Sequence, residues 1–107
     1  MKKLRMIVKR PDEQYGHVCH VSDRLENLQK TVEGYIEVLP IGEHTVIICN
    51  EEGKIKGLPH NMYFGPHDLV GTIMVVDVNG EDFSDLSLDL REWKDIVDAN
   101  NRKEGEA

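Results

Sequence analysis

The sequence predicts an α+β domain: a small, mostly antiparallel sheet with a central three-stranded meander and two helices packed on one face of it. Three observations predict this. Residues 34–61 hold the densest run of β-favouring residues, broken by tight turn signals. Leu25, Leu28 and Val32, and again Leu90, Trp93 and Val97, recur at helical spacing. No repeat, linker or low-complexity tract divides the 107 residues, a length suited to one domain with a modest core.

Taken in order, Lys3 to Lys9 reads as an opening strand with Leu4, Met6 and Val8 on one face. Pro11 to Gly16 is a polar loop containing Tyr15, and His17 to Val21 is a short second strand paired with the first. Asp23 is expected to cap a helix, with Glu26 in capping-box register, and Gly34 to stop it. Tyr35 to Leu39 alternates as a half-buried strand until Pro40, Gly42 and Glu43 break it. Thr45 to Cys49 is apolar almost throughout, the pattern of a central strand covered on both faces.

Glu51 to Lys54 reads as a hairpin loop, and Ile55 between Lys54 and Lys56 as the third strand of the meander. His60 to Val70 is expected to be a functional loop, carrying Tyr63, Phe64, Gly65, Pro66 and His67. Thr72 to Val78 is an apolar strand, and Asn79-Gly80 a tight turn. A second helix is expected from about Ser87, with Arg102 and Lys103 at its carbonyl end and a frayed tail over 103–107.

Several motifs point to a family. Gly34-Tyr35-Ile36-Glu37, Cys49-Asn50-Glu51-Glu52-Gly53-Lys54, Gly57-Leu58-Pro59-His60-Asn61 and Gly71-Thr72 resemble a small domain family of unknown function. That family occurs in phages and in mobile elements of Firmicutes and related bacteria. The resemblance covers residues 30–85 well and the two ends loosely, and implies a phage-type accessory protein without naming a reaction. The family carries an apolar or small residue where this chain has His60, so any role of His60 would be particular to this chain.

Charge and composition narrow the function. A net charge of −7 argues against direct binding of nucleic acid through its phosphates. The one basic patch is Lys2, Lys3, Arg5, Lys9 and Arg10. No apolar run approaches the roughly 20 residues of a membrane helix. Met6-Ile7-Val8 is too short for a signal-peptide core, so a cytoplasmic setting is expected, with no membrane partner. Cys19 and Cys49 lie in strand-like surroundings and read as free thiols.

Four constellations could carry chemistry. His17, Cys19 and His20 have metal-ligating side chains, but on a strand His17 and Cys19 share one face while His20 opposes them. No Cys-x-x-Cys turn supplies a second pair, so neither metal nor cofactor is expected. Cys49 with His60 could form a nucleophile pair, yet Glu51 and Glu52 beside Cys49 disfavour a thiolate. With no phosphate-binding glycine loop or nucleophile elbow, a non-enzymatic role is expected. The acidic row including Asp85, Asp89 and Glu92 could imitate DNA or block a host enzyme, though Arg91 and Lys94 interrupt it.

The best site candidate joins the Gly57–Phe64 loop to the strand of Tyr35 and Glu37. Tyr35, Tyr63 and Phe64 offer flat apolar surface, Lys54 and Lys56 offer charge, and Asn61 can donate and accept together. The competing reading is that Asn61 merely satisfies backbone groups of the loop. The expected partner is a small, nucleotide-like ligand, such as a host defence signal to be sequestered. The alternatives are a host protein met by the acidic helix, or a structural subunit whose ordered unit is a homo-oligomer.

Overall fold

A strand that places apolar residues on both of its faces must be covered on both sides. Two strands of this chain meet that description: β4 (Thr45–Asn50), apolar from Val46 to Cys49, and β7 (Ile73–Asn79), apolar from Ile73 to Val76. In the computed structural model, which describes residues 2–102, they pair antiparallel at the centre of the molecule. Around them the chain adds β1 (Lys3–Lys9), β2 (His17–Ser22), α1 (Leu25–Val32), β3 (Ile36–Pro40), β5 (His60–Phe64), β6 (His67–Val70), β8 (Asp82–Ser84) and α2 (Leu90–Asn101). The main sheet runs β2-β1-β7-β4-β3, with β8 folded back on β7, and every pairing in it is antiparallel. β5 and β6 form a separate hairpin.

One face of the sheet presents Leu4, Met6, Val8, Val46, Ile48, Met74 and Val76 to Leu28 and Val32 of α1. The other presents Ile7, Ile47, Cys49, Ile73 and Val75 to Trp93 and Val97 of α2 and to Met62 and Leu69 of the hairpin. The α+β class and the mostly antiparallel sheet are as the sequence predicts. The helices, however, lie on opposite faces rather than on one. The reason is the double-sided apolar pattern of β4 and β7, which one layer of helices could not cover.

The expected third strand of the meander does not form. Residues 51–57 are a series of turns, with Lys56 N–H donating to Glu52 O at 3.0 Å and Leu58 N–H to Gly53 O at 3.0 Å. Ile55 is 85 % exposed there, because a single apolar residue between two lysines has nothing to pack against. The second neighbour of β4 is β7, from much later in the chain. The expected His60–Val70 loop is instead the β5–β6 hairpin, turning at Gly65-Pro66 with Gly65 at φ 53°. A register shift between His60 and Met62 hides its alternation.

Helix ends also differ from expectation. The N-cap of α1 is Arg24, without a side-chain cap, rather than Asp23. Its stop is a Schellman motif in which Glu33, at φ 64°, takes the left-handed position expected of glycine. Gly34 N–H closes that motif on Gln29 O at 2.9 Å. Gly34 is needed for closeness: a Cβ there would lie 2.6 Å from Asn50 Nδ2. α2 begins at Leu90 behind Asp89, which shares a capping box with Glu92. Arg102 follows as its C-cap, while Lys103 and the tail lie outside the described residues.

Candidate functional site

Along β1, Leu4, Met6 and Val8 face α1, so Arg5, Ile7 and Lys9 must face the opposite side. That parity carries Lys9 under the hairpin, where it is 2 % exposed. Its Nζ donates to Asn61 Oδ1 at 2.7 Å and to Asn61 O at 3.3 Å. Asn61 in turn donates from Nδ2 to Lys9 O at 2.8 Å and to Gly71 O at 2.7 Å. One asparagine therefore ties β1, β5 and the connection from β6 to β7 together. Burial lowers the Lys9 pKa, and the charges of Glu13 and Asp12 only partly offset this. Among the described residues, no carboxylate forms an ion pair with Lys9.

Lys9 and Asn61 form the inner wall of a cleft of about 550 Å³. Pro11 to Gln14 make one side of it, and Val97, Asp98, Asn101 and Arg102 at the end of α2 make the other. The walls are fixed to one another. Trp93 Nε1 donates to Tyr15 O at 2.8 Å, and the Tyr15 hydroxyl donates to Asp98 at 2.8 Å. That carboxylate raises the pKa of Tyr15. Asn101 exchanges hydrogen bonds with the Tyr63 backbone at 2.7 and 3.1 Å, holding the hairpin on α2.

Glu13 is engaged as well. It accepts from Arg10 N–H at 2.9 Å and meets His17 Nδ1 at 2.9 Å. Burial works to raise its pKa, but these two partners hold the carboxyl below its ordinary range. The cleft thus sets a buried ammonium and Arg102 against Asp12, Glu13 and Asp98. It suits a ligand that carries both an anionic group and hydrogen-bond donors.

A second concavity, about 340 Å³, lies between β3 and β4 on one side and β6 on the other. Leu39, Cys49, Ile55 and Leu69 contribute its apolar lining, and Glu37, Glu51, Glu52 and Asp68 its acidic groups. Cys49 Sγ lies 3.8 Å from Glu37 Oε1. Burial first, and then that carboxylate, push the thiol up to about 11.

A family model described as a domain of unknown function, DUF3846, matches residues 1–98. The chain belongs to this family. The DUF3846 match reaches well beyond residues 30–85, taking in β1 with Lys9 and most of α2. Only Asn101 and Arg102 of the cleft lie outside it. No curated protein and no solved structure matches the chain.

In this DUF3846 domain the seven ligand-binding candidates do not converge. Glu37 and Lys54 share the groove beside β6, and Asn61 belongs to the Lys9 cleft. Tyr35 is 65 % exposed at the start of β3, while Lys56 reaches Glu33 O at 3.4 Å. The Tyr63 ring lies 4.5 Å from that of His60, tilted by 47°, and Phe64 packs against the core. His60 also holds Asp68 at 2.6 Å.

The acidic candidates cap backbone groups. Asp85 accepts Arg5 N–H at 2.8 Å, and Asp89 and Glu92 cap α2 reciprocally. Among the described residues, no three His, Cys, Asp or Glu side chains gather as a metal site. Nor is any described helix long and apolar enough to cross a membrane. Lys9, which the sequence offers only as a member of the basic patch, is the cleft residue that the expected site lacked. Its signal was present: a lysine on the same side of β1 as Ile7, opposite the three obvious core residues.

Proposed function

We propose that this DUF3846 domain is a non-enzymatic binding protein that holds a small, nucleotide-like ligand in the Lys9–Asn61 cleft. The observation that carries the reading is the Lys9 ammonium, buried, hydrogen-bonded to Asn61 rather than ion-paired among the described residues, and lining an open cleft. Asn61 takes two of its three donors, which leaves one for an anionic oxygen of the ligand. Arg102 adds a second positive charge, Met62 and Val97 add apolar contact, and Asp12 can accept from ligand N–H or O–H groups. This keeps the chemistry expected around Asn61 and replaces Lys54 and Lys56 with Lys9.

Absence of catalysis is supported by the chemistry of the side chains. Cys49 is held as a buried thiol, and Glu13 and Asp98 already have partners. The resemblance to phage and mobile-element domains supports a role in sequestering a host signal. The acidic-helix alternative draws less support, since Asp85, Asp89 and Glu92 are occupied in capping.

The test is calorimetric titration with mononucleotides and cyclic nucleotides against the native chain and Lys9→Met. Binding that weakens by at least tenfold in a folded Lys9→Met supports the reading. Equal affinity in that variant, or no binding by any of these compounds, refutes it.

A further inference from the structure

The free edge of the main sheet points to a second binding surface. β3 is the outermost strand, paired to β4 on one side only. Two bonds at its ends fix which of its groups face outward. Glu51 N–H donates to Tyr35 O at 2.8 Å, and Ile41 N–H donates to Thr45 O at 2.9 Å. Hydrogen-bonded positions alternate along an antiparallel pair, so residues 35, 37, 39 and 41 point their backbone groups at β4. Ile36, Val38 and Pro40 point theirs away. Pro40 confirms this placement, because a residue without an N–H is tolerated on the outward side of an edge strand. The outer edge therefore offers the N–H and C=O of Ile36 and of Val38, followed by the C=O of Pro40.

Protection of this edge is slight. Natural edges are commonly protected by charged side chains (lysine above all), proline, bulges or a covering element; β3 has Glu37 and, at its end, Pro40, but no lysine and no register shift against β4, and among the described residues no element pairs with its outer side. Val38 is 41 % exposed although it lies in register with Ile48, which is fully buried. Beside the strand runs the groove lined by Leu39 and Leu69, bordered by the carboxylates of Glu37, Glu51, Glu52 and Asp68. Lys54 is the one lysine or arginine among its lining residues. The other end strand of the sheet order, β2, borders a concavity of about 360 Å³ whose charged lining is mixed, with Lys3 and Arg24 beside Glu26, and exposes His20 as its most open residue.

We infer that β3 takes up an extended, basic peptide segment of a partner protein as an added antiparallel or parallel strand. The main-chain groups of Ile36 and Val38 supply the hydrogen bonds. Alternate side chains of the segment then fall on opposite faces, as strand geometry requires. One set lies over the groove, where lysine or arginine meets Glu37 and its acidic neighbours. The other set lies beside Val38, where apolar residues fit. A second copy of this chain is a poorer occupant, since it would bring its own acidic rim and a net charge of −7 to the same place. The inference uses no residue of the Lys9 cleft.

The experiment is an amide NMR titration with a short synthetic peptide alternating valine and lysine, run beside one alternating valine and glutamate. The expected result is saturable shifts of the Ile36 and Val38 amides with the lysine peptide, weakened by salt, and none with the glutamate peptide. Val38→Pro removes only an outward N–H, so it should remain folded and bind at least tenfold more weakly. Should that variant unfold, a lysine peptide N-methylated at alternate residues takes its place and should fail to bind. Equal binding by folded Val38→Pro, or by the N-methylated peptides of both registers, overturns the inference. So do shifts that map away from β3. Concentration-dependent dimerisation through β3 without peptide, seen by sedimentation, would assign the edge to a second copy instead.

Discussion

Replacing Asn61 by alanine should cost far more than an ordinary loop substitution. Its side chain makes three buried hydrogen bonds: from Lys9 Nζ at 2.7 Å, and to Lys9 O and Gly71 O at 2.8 and 2.7 Å. Each orphaned carbonyl costs about 1 kcal/mol and the bond to the charged group about 1.5–3 kcal/mol, so Asn61→Ala should cost about 3–5 kcal/mol. That is a large part of the roughly 5–15 kcal/mol that holds such a domain together. Lys9→Met should behave differently. It withdraws the donor from two oxygens of Asn61, Oδ1 and, more weakly, the backbone O, but removes an ammonium that burial already disfavours. The two effects oppose each other, and the net change should be within about 1.5 kcal/mol. In the Lys9→Met background, Asn61→Ala should then cost less by about 1.5–3 kcal/mol, the coupling of the pair. Urea denaturation of the four proteins measures the cycle. A cost below about 1 kcal/mol for Asn61→Ala, or the same cost in both backgrounds, would refute the coupling of Lys9 and Asn61.

Three further outcomes follow from the packing. Ile47→Ala, at the centre of β4 and fully buried, should lose about 2–5 kcal/mol in urea denaturation, and a loss under about 1 kcal/mol would contradict its placement. Glu33→Gly should raise stability by about 1 kcal/mol, because glycine adopts the φ of 64° without the crowding of a Cβ; an unchanged or lower melting temperature would give the glutamate side chain a role of its own. The Cys49 thiol, raised from 9.0 to about 11, should resist alkylation at pH 8. The folded chain keeps this proton where the unfolded chain has lost it, so the thiol's contribution is full below pH 9.0 and is lost as pH rises to about 11. A folded-state denaturation series in which native protein and Cys49→Ala share the same slope over that window would contradict the assignment.

What the sequence made legible was local. The alternation in Lys3 to Lys9 and the apolar run Thr45 to Cys49 appear where their periodicity places them, as do Leu28, Val32, Trp93 and Val97 of the helix stripes, while Leu25 stays 56 % exposed. Topology was not legible in the same way. The neighbour of β4 is β7, and nothing in residues 51–57 announces that the chain leaves the sheet there except the isolation of Ile55 between two lysines. The hairpin at 60–70 is disguised by its register shift, and the strands apolar on both faces argue for two covering layers only if followed to that consequence. The site was half legible. Asn61 stood out for its chemistry, but its side chain turns inward to Lys9, a residue distant in sequence and hidden by its parity in β1. The acidic residues of α2 look like a surface feature in sequence because a capping box and a free carboxylate row have the same composition.

Whether Lys9 meets a ligand can be read from its own Nζ. Side-chain NMR of nitrogen-labelled lysines can follow that resonance, assigned by its absence from Lys9→Met, during titration with a mononucleotide. The Lys9 ammonium should exchange slowly and its resonance should move saturably, while those of Lys54 and Lys56 stay in place. Movement of Lys54 or Lys56 with Lys9 unchanged, or no movement of any lysine at saturating nucleotide, would contradict binding at Lys9.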